Sequence, residues 1–382
     1  MTTTNYDVIV VGLGAMGSAT LYPLARRGVK VLGLDQGSFG HHNGSSHGDT
    51  RIIREAYFEH PLYVPLVQRA YELWRELENL SEKRLMTITG GLMIGPPDGS
   101  VVTGTLNSAR AHQLRHEVLD ADEIHRRYPE FRPVGDLVAV VDPHAGFLDP
   151  ELSMRIHLEL AERAGAVYHF EERVESWRAD ANGVSVETPR GSYSADRLLI
   201  ACGPWSRDIT PDLELPLLVE RQTVFWFEGE ASAAAYNVET FPIYAYEYIP
   251  GNIVYGFPRQ SRGVKASVMH AGKTAQSERS VRDPVDPRDV GALRHALEPI
   301  LPDLARAKVR ESATCLFTNT PDHDFIIDFH PHHPQVLISS PCSGHGFKFA
   351  SAIGEVQADL LTTRQARFDL APFRIARFSK EA

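Results

Sequence analysis

The chain has 382 residues, of which 43% are hydrophobic and 23% charged, and its formal net charge at pH 7 is -10. A chain of this length exceeds one small core, so we expect two closely joined domains. The acidic balance argues against nucleic acid or an anionic membrane as a partner, because both attract clustered Lys and Arg. No apolar run approaches the ~20 residues that a membrane-spanning helix needs.

The cysteines and the N-terminus predict the compartment. Three cysteines form an odd and sparse set that suits a reducing environment and not a disulfide framework. The N-terminal residues lack the basic region of a signal peptide and lead directly into an apolar strand. The sequence therefore predicts a cytoplasmic protein.

The first predicted elements form a βαβ unit. Residues 7–11 are a β-branched apolar run, typical of a strand buried on both faces of a parallel sheet. Helical spacing follows over residues 15–27, and a second strand is predicted over residues 29–35.

A glycine motif joins the first strand to the first helix. Gly12, Gly14 and Gly17 have the context of a dinucleotide-binding loop, in which backbone approaches a pyrophosphate and helix packs closely on strand. Asp35 ends the second strand and is placed to accept hydrogen bonds from a ribose. By itself this motif does not distinguish FAD from NAD.

Further along the chain, helical and alternating patterns are separated by turns. Helices are predicted over residues 62–78, 121–128, 151–164, 289–301 and 346–361. Strands are predicted over residues 86–94, near 167, and over 184–188, 197–201, 223–227, 244–248 and 336–339. The strands after residue 219 are aromatic and alternating, which is typical of an antiparallel sheet with two different faces. Tyr244, Tyr246 and Tyr248 are expected on one face, some of them in the substrate pocket.

These elements predict an α/β protein with two interleaved domains. A Rossmann-like nucleotide domain is predicted to comprise residues 1–85, 142–215 and 322–375. A substrate domain of mixed antiparallel sheet and helices is predicted to comprise residues 86–141 and 216–321.

Three segments, in order and correctly spaced, point to a known family. They are residues 46–54, residues 314–328 around Cys315, and residues 344–348. With them, the chain resembles the monomeric sarcosine oxidase and N-methyltryptophan oxidase family of flavoenzymes, from Tyr6 to about Leu361. Residues 197–203 also resemble the second strand motif of FAD-binding folds, although a plain buried strand would look similar.

The resemblance implies FAD joined through its 8α-methyl group to the sulfur of Cys315. A thiolate must add to that methyl group, so basic neighbours that lower the thiol pKa are expected, and His47 and Arg51 match the family's basic residues. The alternative is an inert buried cysteine. With the glycine motif, the predicted cofactor-binding residues are Gly12, Gly14, Ala15, Met16, Gly17, Asp35, Gln36, Ser45, His47, Thr50, Arg51, Val174, Cys202, Gly203, Trp205, Cys315, Gly344, Gly346, Phe347 and Lys348.

The resemblance also implies a substrate site. Arg54 and Lys348 match the pair that holds the substrate carboxylate, and Lys265 matches the lysine that promotes reaction with oxygen. The alternative for each is a solvated surface cation. The turn at residues 344–348 is expected to place a helix N-terminus under the flavin pyrimidine. The predicted catalytic residues are Lys265, Arg51, Arg54, Lys348 and His270.

Two positions depart from the family pattern. Sarcosine oxidases carry a histidine where this chain has Met269, with His270 one residue further on. The residue two positions after the tether is usually tyrosine and is Phe317 here. Both changes predict a less polar substrate pocket, which puts sarcosine itself in doubt; the alternative is neutral drift within one specificity.

The predicted activity is oxidation of a secondary, N-methyl or cyclic amino acid, with imine hydrolysis and reduction of O2 to hydrogen peroxide. An FAD dehydrogenase using another acceptor, an NAD-dependent dehydrogenase and a non-catalytic nucleotide-binding protein are the alternatives. The resemblance implies a monomer. No metal site is expected, because the histidines at 41–42 and 330–333 lie in polar loops without matching acids or cysteines.

Overall fold

The computed structural model describes residues 4–228, 235–275 and 284–378. Residues 1–3, part of the segment in which no signal peptide is predicted, lie outside these ranges. No helix within the described ranges is both long enough and apolar enough to cross a bilayer.

Helices and runs of strands follow one another along the chain. The described helices are α1 (Ala15–Arg26), α2 (Val64–Ser81), α3 (Ser100–Ala111), α4 (Ala121–Arg127), α5 (Pro150–Arg163), α6 (Ser206–Ile209), α7 (Pro287–Leu297), α8 (Pro302–Arg306) and α9 (Ala350–Thr363). The described strands are β1 (Thr4–Val11), β2 (Val31–Leu34), β3 (Arg51–Ile53), β4 (Met86–Ile88), β5 (Gly91–Gly95), β6 (Glu117–Leu119), β7 (Val138–Asp142), β8 (Gly146–Leu148), β9 (Val167–His169), β10 (Ser176–Asp180), β11 (Gly183–Thr188), β12 (Gly191–Ile200), β13 (Leu218–Phe227), β14 (Ile243–Ile249), β15 (Asn252–Gly256), β16 (Val264–Val268), β17 (Lys273–Thr274), β18 (Val309–Asn319), β19 (Ile326–Phe329) and β20 (Val336–Ser340).

The first sheet has eight strands around a parallel centre. β1 pairs in parallel with β2 and β12, and these continue in parallel to β9 and β20. Val8 and Val10 belong to one apolar cluster with residues of α1 and α9, and Ile9 and Val11 belong to a second cluster. Burial on both faces explains the uninterrupted apolar run of β1.

The second sheet has nine strands and is antiparallel except where β5 pairs in parallel with β14. β13, from the aromatic region of the sequence, lies between β16 and β18 near one end of this sheet. A third, small sheet joins β3, β8 and β4. The mixed α/β architecture confirms the predicted fold class, while the predicted domain boundaries stay a prediction.

The strand predicted over residues 86–94 is wrong as one element. The chain turns at Gly90, whose φ of +70° suits glycine, and so separates β4 from β5. β4 pairs with β8 in the small sheet, and β5 pairs with β7 and β14 in the large one. The apolar run of residues 86–94 therefore contributes one strand to each of two sheets.

Two of the predicted helices also differ from the structure. The helix predicted over residues 289–301 ends at Leu297, and Pro302 begins the separate helix α8. The helix predicted over residues 346–361 begins as a 3-10 turn over Phe347–Phe349 and becomes α-helical at Ala350. The remaining predicted elements are present, although β12 and β13 begin earlier than expected.

Helix α3 has no counterpart among the predicted elements. Its β-branched residues and Gly104 are poor helix formers, so local preference does not indicate a helix. A Cβ on Gly104 would lie 2.1 Å from the carbonyl oxygen of Phe58. The close approach of these two segments therefore requires glycine, and tertiary packing overrides propensity.

Candidate active site

A cavity of about 300 Å³ is lined by both large sheets. Residues that follow the carboxyl ends of β1, β2 and β12 form one part of its wall, and side chains from β13 to β16 and β18 form another. Ligands of α/β proteins bind at the carboxyl ends of parallel strands, so this position agrees with a nucleotide site.

Almost all of the predicted site residues line this cavity. They are Gly12, Gly14, Ala15, Met16, Asp35, Gln36, Ser45, His47, Thr50, Arg51, Arg54, Val174, Cys202, Gly203, Trp205, Lys265, Cys315, Gly344, Gly346, Phe347 and Lys348. Gly17 packs behind the lining, where a Cβ would lie 1.7 Å from the carbonyl oxygen of Gly12. His270 also lies outside the lining, as described below.

The glycine loop keeps bare backbone against the cavity. Gly12 has a φ of +92°, and a Cβ there would lie 2.5 Å from the carbonyl oxygen of Ala201. The two carboxylate oxygens of Asp35 accept hydrogen bonds from the amides of Leu13 and Gly37, at 2.7 and 2.8 Å. Asp35 thus holds two loops together at the edge of the cavity.

Arg51 organises the loop that precedes it. Its guanidinium donates to the carbonyl oxygens of Ser45, His47 and Thr50, at 2.7, 2.6 and 2.8 Å. Burial, and then the charge of Arg51, lower the pKa of His47 to about 3, so this imidazole is neutral at pH 7. Its Nε2 is buried and has no hydrogen-bond partner among the described residues.

Lys265 lies against the same loop. Its ammonium donates to the carbonyl oxygens of Gly48 and Thr50 and to the Thr50 hydroxyl, at 2.6, 3.0 and 3.1 Å. The residue is 3% exposed, so the surface-lysine alternative is wrong. Burial, and then the charge of Arg51, lower the pKa of Lys265 to about 7.

Cys315 faces these cations from β18. The thiol is free and buried, and burial raises its pKa while the charges of Arg51 and Lys265 lower it. The expected basic neighbours are therefore present, but desolvation by the protein outweighs them. This balance corrects the expectation of a lowered thiol pKa.

Arg54 and Lys348 are buried at another part of the cavity, 3% and 5% exposed, which excludes solvated surface cations. Arg54 forms an ion pair with Glu59, and its guanidinium lies 4.1 Å from the ring centroid of Tyr57. Burial, and then the charge of Arg54, lower the pKa of Lys348 to about 7. Burial opposes ionisation of Glu59, but the charges of Arg54 and Lys348 and the hydrogen bond from Arg54 keep its pKa below the ordinary value.

Sequence reasoning did not identify Glu59. It lines the cavity, and its Oε1 is buried with no hydrogen-bond partner among the described residues. Glu59 lies in irregular chain after β3, where no spacing rule relates it to Arg54. An acid five residues after a predicted ligand-binding arginine is the only signal that could have suggested it.

The apolar part of the wall differs from the prediction for the tyrosines of β14. Tyr244 and Tyr246 belong to the core on the opposite side of the strand, and Ala245 lines the cavity. Ile253, Phe257, Met269 and Phe317 also line it, together with Tyr255, a further residue that the sequence analysis missed.

Met269, and not His270, faces the cavity. His270 adopts a φ of +53°, and its Nδ1 lies 3.3 Å from a carboxylate oxygen of Glu220. The backbone turn ends the strand alternation of β16, so adjacent side chains take different environments. Among the described residues, no group of three or more His, Cys, Asp or Glu side chains could hold a metal ion.

Comparison with known proteins decides between the cofactors that the glycine motif left open. The model of the DAO family, described as FAD dependent oxidoreductase, matches residues 7–360. The chain belongs to this family of FAD-dependent oxidoreductases. Its membership confirms the predicted enzyme class and FAD as the cofactor, and it removes the alternatives of an NAD-dependent dehydrogenase and a non-catalytic nucleotide-binding protein.

Relatives within this FAD-dependent family cover nearly the whole chain. A monomeric sarcosine oxidase from Streptomyces avermitilis is 42% identical over 94% of this chain and 94% of its own. An N-methyl-L-tryptophan oxidase from Salmonella heidelberg is 37% identical over 98% and 100%. The crystal structure of NikD, an unusual amino acid oxidase essential for nikkomycin biosynthesis, superposes with a TM-score of 0.84 at 27% identity, covering 97% and 98%. These matches confirm the predicted resemblance.

The residues present fit FAD. Gly12 and Gly14 line the cavity without side chains, as a loop that approaches a pyrophosphate requires, and the unpartnered Nε2 of His47 offers a buried polar contact. Gly344 and Gly346 line the cavity as well. The family's cofactor thus has a polar, glycine-rich cradle along one side of the cavity.

Proposed function

We propose that this protein oxidises a secondary amino acid, N-methylated or cyclic, and transfers the electrons to O2. The observation that carries the proposal is that one cavity joins a glycine-rich nucleotide cradle to a buried pair of cations, Arg54 and Lys348. The names of the relatives, which are oxidases of sarcosine and N-methyl-L-tryptophan, support an N-methyl amino acid as substrate.

The charges of the cation pair suit an amino-acid carboxylate. Arg54 and Lys348 carry two positive charges when Lys348 is protonated, and Glu59 carries one negative charge. One positive charge therefore remains for a monocarboxylate in a buried site, where such an interaction is strong. Holding the carboxylate here orients the substrate for reaction.

FAD, when bound, supplies the two-electron acceptor, so the protein residues need only bind and orient the substrate. The substrate loses two electrons and two protons to become an imine, which water hydrolyses. O2 takes up two electrons and two protons and is released as hydrogen peroxide. Lys265 is proposed to stabilise the negative charge that develops on oxygen.

The apolar wall supports a substrate less polar than sarcosine. Ala245, Ile253, Phe257, Met269 and Phe317 present hydrocarbon, sulfur and aromatic surface to the cavity. Burying an apolar substituent against such a surface stabilises binding by roughly 25 cal/mol per Å². We therefore propose an N-methyl or cyclic amino acid with an apolar side chain.

Three further properties are proposed. Cys315 is the covalent attachment point of FAD, supported by its place in the cavity beside Arg51 and Lys265. The protein acts as a monomer, the state that the name of its Streptomyces relative gives for that protein. Its three free cysteines support a reducing, cytoplasmic location.

Anaerobic reduction of the bound flavin, followed by admission of air, tests the proposal. The panel contains sarcosine, N-methylphenylalanine, proline and pipecolate. We expect one of the apolar secondary amino acids to bleach the flavin fastest, and air to restore its colour with release of peroxide. Bleaching without recovery in air would indicate a dehydrogenase with another acceptor, and no bleaching by any compound would overturn the substrate class.

A further inference from the structure

Behind Lys348 lies a buried hydrogen-bonded pair, Tyr57 and His345, that the proposed chemistry does not use. Tyr57 is fully buried and His345 is 6% exposed. The Tyr57 hydroxyl lies 2.5 Å from Nδ1 of His345. Phe325 stacks on the imidazole at a centroid distance of 5.0 Å, so the ring is held on its face as well as by its nitrogens.

The surroundings decide the tautomer of His345. Its Nε2 lies 3.0 Å from the carbonyl oxygen of His323, and a carbonyl oxygen can only accept a hydrogen bond. Nε2 therefore carries the proton. Burial lowers the pKa of His345 to about 4, so the ring is neutral and its Nδ1 is an acceptor. Tyr57 must then donate its hydroxyl proton to Nδ1.

This donation leaves the Tyr57 oxygen free to accept from Lys348. The Lys348 ammonium lies 3.5 Å from that oxygen and also donates to the carbonyl oxygen of His345 at 2.8 Å. His345 thus contacts Lys348 directly through its backbone and indirectly through Tyr57. The other charged groups that face Lys348 are Arg54, which repels it, and Glu59, which attracts it.

The same tyrosine ring also contacts the second cation. The Arg54 guanidinium lies 4.1 Å and the Lys348 ammonium 5.1 Å from its centroid, distances at which a cation is attracted by an aromatic ring. The neutral ring of Tyr57 therefore contacts both Arg54 and Lys348, two cations that repel each other.

We infer that Tyr57 and His345 are positioning residues that hold the Lys348 ammonium, with Arg54, in the geometry that binds the substrate carboxylate. The inference rests on the proposed function only for the identity of the bound group. Without the Tyr57 hydroxyl, the Lys348 ammonium keeps only its hydrogen bond to the carbonyl oxygen of His345. Its position relative to a bound carboxylate is then less restricted.

Titration of the flavin absorbance with benzoate, a carboxylate that is not oxidised, measures the site directly. We expect Tyr57→Phe and His345→Gln each to raise the benzoate Kd about tenfold, the size expected for loss of one hydrogen bond to a charged group. His345→Asn, whose amide oxygen can replace Nδ1 as acceptor, should keep the Kd within about threefold of the wild type. The double variant Tyr57→Phe/His345→Gln should match the single variants, because both act through one hydroxyl.

Tyr63→Phe is the matched control. The ring centroid of Tyr63 lies 5.0 Å from that of Tyr57, but the Tyr63 hydroxyl donates to Asp324 at 2.6 Å and does not reach Lys348. Equal effects of the Tyr57 and Tyr63 variants, or an unchanged Kd in His345→Gln, would overturn the inference. If the wild type binds benzoate but no amino acid reduces its flavin, the proposed function fails while the inference stands. If the wild type does not bind benzoate, the inference fails, and the reduction of the flavin by the amino-acid panel alone decides the proposed function.

Discussion

At the carboxylate end of the cavity, two buried cations share one buried anion. Glu59 neutralises Arg54 through a direct ion pair, and Lys348 lies close enough for Arg54 to lower its pKa. The substrate carboxylate that we propose for this site would therefore compete with Glu59 for Arg54. In that case Glu59 stabilises Arg54 in the absence of substrate and opposes binding of the carboxylate.

Replacement Glu59→Gln tests this competition. The amide keeps the size of the side chain but removes the charge, so Arg54 has no ionic partner before ligand binds. At about pH 6, where Lys348 is protonated, we expect the benzoate Kd to fall about threefold to tenfold. The melting temperature should fall as well, because an unpaired buried charge destabilises the fold. A higher Kd in this variant would show that Glu59 assists binding.

The pKa of Lys348 predicts a pH dependence. Lys348 is charged below a pKa of about 7 and loses its charge as pH rises, whereas benzoate stays ionised. We expect the benzoate Kd to rise about tenfold between about pH 6 and pH 9. In Lys348→Arg, whose guanidinium stays charged, the Kd should be nearly independent of pH. A similar slope in this variant would assign the titration to another group.

Cys315 and Cys342 both line the cavity, and they provide a matched pair for the covalent bond. We expect Cys315→Ala to release its flavin on denaturation with acid, because no other sulfur is proposed to bind the 8α-methyl group. Cys342→Ala should keep its flavin in the precipitated protein. Flavin retained by the Cys315 variant after denaturation would contradict the assignment.

At the scale of secondary structure, the alternation of β14 decides which side chains meet the substrate. Tyr244 and Tyr246 point into the core, whereas Ala245, on the opposite face of the strand, lines the cavity. Its cross-strand neighbours are Tyr255 on β15 and Met93 on β5, both much larger. We infer that Ala245, which is smaller than these neighbours, leaves room for an apolar substituent of the substrate.

A larger side chain at position 245 should change substrate specificity. In Ala245→Phe, we expect kcat/KM for N-methylphenylalanine to fall about fivefold or more relative to that for sarcosine, since overpacking costs about 1–3 kcal/mol. Tyr246→Phe, on the other side of the same strand, is the control and should keep the wild-type ratio. An unchanged ratio in Ala245→Phe would place the substituent elsewhere.

At the scale of the whole molecule, one cavity receives side chains from both large sheets. FAD bound in this cavity, as we propose, would contact both sheets, and its binding energy would add to the stability of the folded state. We expect Cys315→Ala, freed of flavin, to melt at a lower temperature, and added FAD to raise the melting temperature by several degrees. NAD is the control and should have no effect. Equal melting temperatures with and without FAD would show that the cofactor does not stabilise the fold.

The sequence by itself determined the nucleotide loop, because the strand, glycines and helix of residues 7–27 are adjacent and local geometry suffices. It also indicated the chemical groups at Lys265, Cys315 and Lys348 through the family resemblance. The effects of burial and of neighbouring charges on these groups depend on the tertiary structure. The pairing of Arg54 with Glu59, the outward turn of His270 and the support of Lys348 by Tyr57 and His345 depend on burial and on contacts between distant segments. Periodicity fixes the face on which a side chain lies, but packing decides which charge, carbonyl or ring it meets there.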